Sequence, residues 1–107
     1  MQNKLLSILG FVQKSGNLYT GENTCELYIK KRAIRLLIIS NDASENTIIK
    51  FINLCNSKGV PYIVYGNRET LSKAIGKCNR TVFGVKDKNF ANKILEIYNS
   101  LNLDLSR

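Results

Sequence analysis

A run of four large aliphatic residues, Leu36-Leu37-Ile38-Ile39, limits the fold of this chain more than any other feature. A short apolar run without alternating polar positions is typical of a β-strand that is covered on both faces. Tyr62-Ile63-Val64-Tyr65 and Thr81-Val82-Phe83-Gly84-Val85 have the same character. Because a sheet with two buried faces needs a layer of helices on each side, the intervening sequence must supply those helices.

Helical periodicity fills the intervals between these strands. Apolar residues at spacings of three and four predict five helices, which cover about residues 2–14, 21–32, 45–57, 68–75 and 89–101. A short extended piece, Leu18-Tyr19, joins the first two helices. In the third helix, we expect four residues to face inward with Phe51 flanking them: Ile48, Ile49, Ile52 and Cys55.

Strands that alternate with helices favour the α/β class. We expect a three-layer α/β/α sandwich with a mixed, partly parallel central sheet. Residues 1–101 form a single domain in this interpretation, and residues 102–107 form a frayed tail.

The charge of the chain is strongly basic. Its 107 residues include 16 Lys or Arg and 8 Asp or Glu, and the net charge of +8 favours a polyanion as partner. Residues 21–35 contain four cations and two acids, whereas residues 73–88 contain five cations and one acid. A merely soluble basic protein is the alternative, but this clustering argues against it. We expect the two segments to lie side by side and to form one cationic surface.

The second predicted helix begins with features that suit a ligand. Thr20 or Gly21 can serve as its N-cap, and the first N–H groups of a helix have no intrahelical acceptor. Asn23, Leu27 and Lys31 are spaced by four and lie along one face. An amide can both donate to and accept from a base edge. Alternatively, Asn23 is a solvated first-turn residue and the cations at the helix end only favour the dipole.

The residues of common catalytic and metal sites are missing from the sequence. It contains no His, and its three Cys are widely spaced without a CxxC motif, so we expect no enzyme activity, no metal and no cofactor. Reduced thiols fit a cytoplasmic protein. The N-terminal residues do not resemble a signal peptide, and no apolar run is long enough to span a membrane.

Two residues leave alternatives open. Asp42 follows a buried strand, as the phosphoacceptor of a receiver domain does, but the acidic cluster of a receiver is missing. A capping box with Glu45 is the favoured role of Asp42, and Ser44 is a rival cap. Cys25 near a helix start could have a lowered pKa, although a small core residue is the commoner outcome.

Four short motifs follow one another over nearly all of the chain: Gly21-Glu22-Asn23 opening a helix, Arg35 to Asp42 as a strand followed by Asp, Leu54-Cys55 before Val60-Pro61-Tyr62, and Leu71-Ser72-Lys73-Ala74-Ile75-Gly76. In their order and spacing, these motifs resemble the kink-turn RNA-binding family of large-subunit ribosomal proteins. Asp42-Ala43-Ser44-Glu45-Asn46-Thr47 is most similar to the bacterial YlxQ-like branch of that family.

The resemblance implies an α/β/α sandwich that binds a kinked internal loop of RNA. In the family, a helix start reads the sheared G·A pairs, and a second loop packs on the flipped-out nucleotide. Carried over to this sequence, the site consists of Gly21, Glu22, Asn23, Thr24, Lys30, Lys31, Lys77, Cys78, Asn79 and Arg80. The sequence departs from the family pattern at Thr24 in place of Glu, Leu27 in place of Lys, and Ser72 and Arg32 in place of Gly.

Three hypotheses follow from these patterns. The first is a non-catalytic, cytoplasmic RNA-binding protein that is associated with the ribosome or with ribosomal RNA. In this hypothesis, the phosphates are contacted by Lys30, Lys31, Lys77 and Arg80. The bases are contacted by the helix start, residues 21–24. The second is a protein-interaction module of the same fold that has lost kink-turn recognition. The third is a small enzyme.

Overall fold

The computed structural model describes the backbone of residues 3–105 and the side chains of residues 3–101. Helices and strands alternate along this part of the chain. In chain order they are α1 (Lys4–Lys14), β1 (Leu18–Thr20), α2 (Glu22–Lys30), β2 (Leu36–Ile39), α3 (Glu45–Lys58), β3 (Tyr62–Val64), α4 (Arg68–Ala74), β4 (Val82–Val85) and α5 (Lys88–Leu105).

The four strands form one mixed sheet in the order β1-β4-β2-β3. β2 and β3 are parallel, with Ile38 opposite Ile63, whereas β4 is antiparallel to both of its neighbours. Because of these directions, the connections lie at two opposite ends of the sheet. We call the end with the start of α2 the near end, and the end where β2 begins the far end.

Alternate residues of the strands enter two separate cores. Leu36 and Ile38 pack toward α1, α4 and α5, whereas Leu37 and Ile39 pack toward α2 and α3. All four side chains are fully buried. The predicted three-layer α/β/α sandwich with a mixed sheet is therefore confirmed.

Gly84 in β4 allows the chain to pack tightly on the α2 side of the sheet. A Cβ atom at this position would lie 2.4 Å from Cδ1 of Ile34. The side chain of Ile34, which is 3% exposed, therefore fills the space above the strand. This contact packs the connection between α2 and β2 against β4.

The structure corrects the predicted inward face of α3. Phe51 is fully buried and Ile49 is 50% exposed, the reverse of the expectation. The core stripe consists of Thr47, Phe51 and Cys55, which are spaced by four. The large ring at the middle of this stripe fills the core, and it turns Ile49 toward solvent.

Two helix ends also differ from the predictions. Ser44, not Asp42, is the N-cap of α3, and its Oγ accepts from the N–H of Thr47 at 3.1 Å. α5 continues to Leu105 instead of ending at Leu101, so the predicted tail of residues 102–107 begins within a helix. Residues 106 and 107 of the predicted tail, Met1, and Gln2 at the start of the predicted first helix lie outside the described residues.

Candidate nucleic-acid interface

α2 begins without a side chain that caps it. Gly21 is its N-cap, with φ 93° and ψ 152°, a conformation that is accessible to glycine and strained for other residues. The first bond of the helix runs from the N–H of Cys25 to the carbonyl oxygen of Gly21. Within the described residues, the N–H groups of Glu22, Asn23 and Thr24 have no protein acceptor, and a ligand can therefore accept from them.

The other helix starts are closed by side-chain oxygens. These acceptors are Asn3 at α1, Ser44 at α3, Asn67 at α4 and Asp87 at α5. Each oxygen accepts from at least one N–H group of the first turn. In residues 3–105, α2 is therefore the helix that leaves its first turn free.

A backbone hydrogen bond joins the start of α2 to the predicted second loop. The N–H of Gly21 donates to the carbonyl oxygen of Val82 at 3.1 Å. Val82 is the first residue of β4 and follows directly on the loop that contains residues 77–80. The helix start and this loop therefore lie side by side at the near end, as the sequence predicted.

The loop of residues 77–80 is held by two side chains of α4. The buried hydroxyl of Ser72 accepts from the N–H of Arg80 at 2.8 Å and contacts the carbonyl oxygen of Arg80 at 3.2 Å. Nη1 of Arg68 donates to Oδ1 of Asn79 at 3.3 Å. Asn79 has a φ of 55°, in the left-handed region that Asn tolerates better than most residues. These contacts give the loop a defined conformation.

Arg68 also connects the loop to the β2–α3 connection through Asp42. Its N–H donates to Oδ1 of Asp42 at 2.9 Å, and Nη2 donates to the carbonyl oxygen of Asp42 at 2.6 Å. Although partial desolvation acts to raise the pKa of Asp42, the hydrogen bond from the backbone N–H of Arg68 and the charge of its guanidinium help to hold this pKa below its usual value. The carboxylate thus supports the near end instead of the start of α3.

The predicted contact residues at the near end are accessible. Asn23, which carries the amide expected to read a base, is exposed. Six other predicted contact residues are exposed as well: Glu22, Thr24, Lys77, Cys78, Asn79 and Arg80. Gly21 is half-buried. Oε2 of Glu22 accepts from the hydroxyl of Thr47 at 3.3 Å, which ties the start of α2 to α3.

Lys30 and Lys31 lie at the far end, apart from the other predicted contact residues. At 1.5 Å per residue, Lys31 is about 12 Å along the helix from Asn23. Nζ of Lys30 lies 3.1 Å from Glu26, which also pairs with Lys50 at 2.7 Å. Hydrogen bonds from Lys50 and Lys30 lower the pKa of Glu26. The single cationic surface that we expected is therefore divided between two ends.

Two tyrosines, one on β1 and one on α2, form a stacked pair that the sequence did not predict. The rings of Tyr19 and Tyr28 are parallel within 7°, and their centroids are 3.9 Å apart. Nζ of Lys86 lies 4.2 Å from the centre of the Tyr19 ring, and Nζ of Lys31 lies 5.6 Å from that of Tyr28. Desolvation raises the pKa of Tyr19, and the neighbouring Tyr28 raises it further. Nothing in the sequence indicates that Tyr19, on the edge strand β1, stacks on Tyr28 of α2.

The cysteines differ in their surroundings. Burial raises the pKa of Cys25 to about 12 and that of Cys55 to about 11, so Cys25 is a core residue and not a reactive thiol. Cys78 is exposed in the loop of residues 77–80. Within the described residues there is no cluster of metal-binding side chains, and no helix is long and apolar enough to cross a membrane.

Comparison with known sequences decides the family. The sequence model of the ribosomal protein L7Ae/L30e/S12e/Gadd45 family matches residues 3–95 of this chain. The chain belongs to the L7Ae/L30e/S12e/Gadd45 family. The match covers the whole near end, from the start of α2 to the loop before β4.

Two bacterial relatives show which branch of the L7Ae/L30e/S12e/Gadd45 family this is. RNA-binding protein YlxQ of Bacillus subtilis is 33% identical over 90 residues, which cover 84% of this chain and 90% of that protein. RNA-binding protein YlxQ of Enterococcus faecium is 31% identical over 96 residues, covering 90% of this chain and 92% of the relative. The predicted YlxQ-like branch is thus confirmed.

Solved structures of the same fold agree with this assignment. A Bacillus halodurans protein of unknown function superposes with a TM-score of 0.89 at 37% identity, covering 92% of this chain and 99% of that one. A Giardia lamblia 15.5 kD RNA-binding protein superposes with a TM-score of 0.77 at 20% identity, covering 96% and 92%. The second likeness concerns the fold alone.

Proposed function

We propose that this chain is a non-catalytic RNA-binding protein that recognises kink-turn-like RNA through the start of α2 and the loop of residues 77–80. One observation carries the proposal: the bond from the N–H of Gly21 to Val82 sets an uncapped helix start beside an exposed basic loop. Membership in a ribosomal-protein family and the YlxQ relatives, which are named as RNA-binding proteins, support it.

In this proposal, the helix start provides selectivity. The free N–H groups of residues 22–24 and the amide of Asn23 face the base edges of the kink, and the hydroxyl of Thr24 adds a donor. Glu22 accepts from exocyclic amino groups while its second oxygen holds Thr47. The positive end of the helix dipole favours the acceptor-rich side of the RNA.

The loop provides affinity and packs on the flipped-out nucleotide. Lys77 and Arg80 contact phosphates, and Cys78 and Asn79 form the surface on which the nucleotide rests. Because Ser72 and Arg68 already hold this loop, little conformational entropy is lost when the RNA binds. Lys30 and Lys31 contact phosphates further along the same RNA, at the other end of α2.

The decisive experiment compares two asparagines in equivalent positions. Asn23 and Asn46 are the exposed second residues of α2 and α3, but the start of α3 is capped by Ser44. We expect Asn23→Ala to lower the affinity for kink-turn RNA about tenfold and to leave duplex binding unchanged. Asn46→Ala is the matched control and should change neither. Equal losses on both RNAs with Asn23→Ala would contradict base readout at the helix start.

Salt dependence tests the phosphate contacts. If the four lysine and arginine residues neutralise about four phosphates, the logarithm of the binding constant should fall against the logarithm of the salt concentration with a slope of about −3 to −4. Fluorescence titration of labelled kink-turn RNA at several salt concentrations gives this slope. A flat dependence would remove the electrostatic part of the proposal.

A protein-interaction module is the second candidate, and one residue favours it. Leu27, which stands where the family has Lys, is 46% exposed between Asn23 and Lys31. An apolar side chain at the middle of this face cannot bond to a phosphate, whereas it can be buried against an apolar side chain of a protein partner. Pull-down with and without ribonuclease distinguishes the two, since partners held through RNA are lost after ribonuclease treatment.

Association with the ribosome or with ribosomal RNA is the finer part of the proposal, and it implies a cytoplasmic location. Sedimentation of a cell extract through a sucrose gradient tests it. The chain should migrate with ribosomal particles at low salt and leave them at high salt, because phosphate contacts weaken as salt rises. A chain that stays at the top of the gradient at low salt would contradict ribosome association.

A further inference from the structure

The charge of the molecule is distributed unequally between the two ends of the sheet. We count each connection together with the adjoining terminal residue of its helix. At the near end, residues 21–22, 40–45, 65–68 and 74–81 contain three cations, Arg68, Lys77 and Arg80, and three acids, Glu22, Asp42 and Glu45. The near end is thus electrically balanced.

The far end is strongly cationic. Its connections, residues 14–17, 30–35, 58–61 and 86–88, contain one acid, Asp87, and eight cations: Lys14, Lys30, Lys31, Arg32, Arg35, Lys58, Lys86 and Lys88. The carboxylate of Asp87 lies at the start of α5, where its Oδ2 accepts from the N–H of Phe90 at 2.9 Å, and it offsets only one of the eight positive charges. The far end therefore carries most of the excess positive charge of the chain.

Arg35 and Lys86 lie together at the centre of the far end. The N–H of Arg35 donates to the carbonyl oxygen of Val85 at 2.7 Å, which sets Arg35 beside Lys86. Lys86 is anchored over the ring of Tyr19 by a cation–π contact. In the described part of the chain, neither residue forms an ion pair. Both charges are therefore available to an anionic partner.

From this distribution we infer that the far end is a second, sequence-independent binding site for the phosphate backbone of RNA. The inference goes beyond the proposed function, which takes only Lys30 and Lys31 of this end as contacts to the kink-turn RNA, and it rests on that function in taking RNA as the polyanion. An array of lysines and arginines matches regularly spaced phosphates and reads no base. The anchoring of Lys86 by Tyr19 reduces the conformational entropy that it loses when it contacts a phosphate.

An anionic membrane is the other partner that such charge could attract, but the described connections of the far end contain no exposed large apolar side chain to enter one. Ile34 and Val60, the large apolar residues of these connections, are 3% and 7% exposed, and the exposed ring of Phe11 in the last turn of α1 packs edge-on against Phe90. Proteins that lie on membranes combine basic residues with apolar side chains that insert between the lipids. The balance of charge and burial therefore favours a nucleic-acid backbone.

A plain RNA duplex without an internal loop tests the inference apart from kink recognition. The double variant Arg35→Gln/Lys86→Gln should lower duplex affinity about tenfold and reduce the salt slope by about two. The control Lys4→Gln/Lys93→Gln removes the same charge from exposed positions on α1 and α5 and should have little effect. Circular dichroism and thermal unfolding check that each variant is folded.

Three outcomes decide the matter. Selective loss in the far-end variant supports the second site, even if Asn23→Ala shows that kink recognition is absent. Equal losses in the two double variants would overturn it, because net charge alone would then explain duplex binding. Unchanged duplex binding, together with far-end-dependent binding to vesicles that contain phosphatidylserine, would also overturn it and assign the surface to a membrane.

Discussion

The hydroxyl of Ser72, on α4, bonds to both backbone polar groups of Arg80, eight residues away in the second loop. The residue is 1% exposed, and it stands where the resemblance described above leads us to expect Gly. The bonds from this one oxygen, at 2.8 and 3.2 Å, fix the direction in which the loop leaves α4 and enters β4. The departure from the family pattern thus adds a support for the loop.

Ser72→Ala should lower both stability and kink-turn affinity. The variant leaves the N–H of Arg80 without its acceptor, and we expect a loss of about 1–2 kcal/mol in the free energy of unfolding. Urea denaturation measures this loss, and RNA titration measures the accompanying fall in affinity. Ser57→Ala changes an exposed serine of α3 and is the matched control. An unchanged affinity with Ser72→Ala would show that the loop does not depend on this hydroxyl.

Leu27→Lys should strengthen RNA binding. Leu27 is 46% exposed on the face between Asn23 and Lys31, so a lysine fits there without rearrangement of the core. One additional phosphate contact should steepen the salt slope by about one. Ile49→Lys adds the same charge at a 50% exposed position of α3 and should change the slope much less. Equal effects of both substitutions would contradict a contact surface on α2.

Arg32→Gly should be more stable than Arg32→Ala. Arg32 has a φ of 58° at the end of α2, and its guanidinium donates to the carbonyl oxygen of Lys58 at 3.1 Å. Both variants lose this bond, but only glycine adopts the left-handed conformation without strain. We expect a difference of about 1 kcal/mol in the free energy of unfolding, measured with urea. Identical midpoints and slopes would show that this backbone position is unstrained.

The thiols make stability fall at high pH. Burial raises the pKa of Cys25 to about 12 and that of Cys55 to about 11, from an ordinary value of 9.0. Above about pH 9 the unfolded chain therefore releases protons that the folded chain retains, and the free energy of unfolding decreases as pH rises. Denaturation at several pH values measures this decrease. It should shrink in the variant Cys25→Ala/Cys55→Ala, whereas Cys78→Ser should leave it unchanged.

The apolar runs were sufficient to predict the strands, because Leu36 to Ile39 must be covered on both faces whatever their partners are. The order of the strands could not be predicted, since the pairing of β4 between β1 and β2 depends on contacts that are distant in sequence. The predicted inward face of α3 was wrong for a similar reason. Spacing alone gave Ile49 and Phe51 similar claims to the core, and packing against the sheet decided between them.

The candidate site was predicted in part. The motif around Asn23 and the basic loop of residues 77–80 were evident in the sequence, and the sheet brings them together. Counting charge along the chain hid the difference between the two ends, because residues 21–35 begin at one end and finish at the other. The supports from Ser72 and Arg68 had no sequence signal, since their partners are set by tertiary contacts.

The strand order has a consequence for how the molecule is made. β4, the last of the described strands to be synthesised, lies between the first two, and Val82 supplies the acceptor for Gly21. In a nascent chain that ends before residue 82, β1 therefore has no strand that joins it to β2, and the start of α2 lacks its hydrogen bond to Val82. Since both halves of the proposed site depend on that late strand, the growing polypeptide can assemble the proposed site only after residues 82–85 have been added.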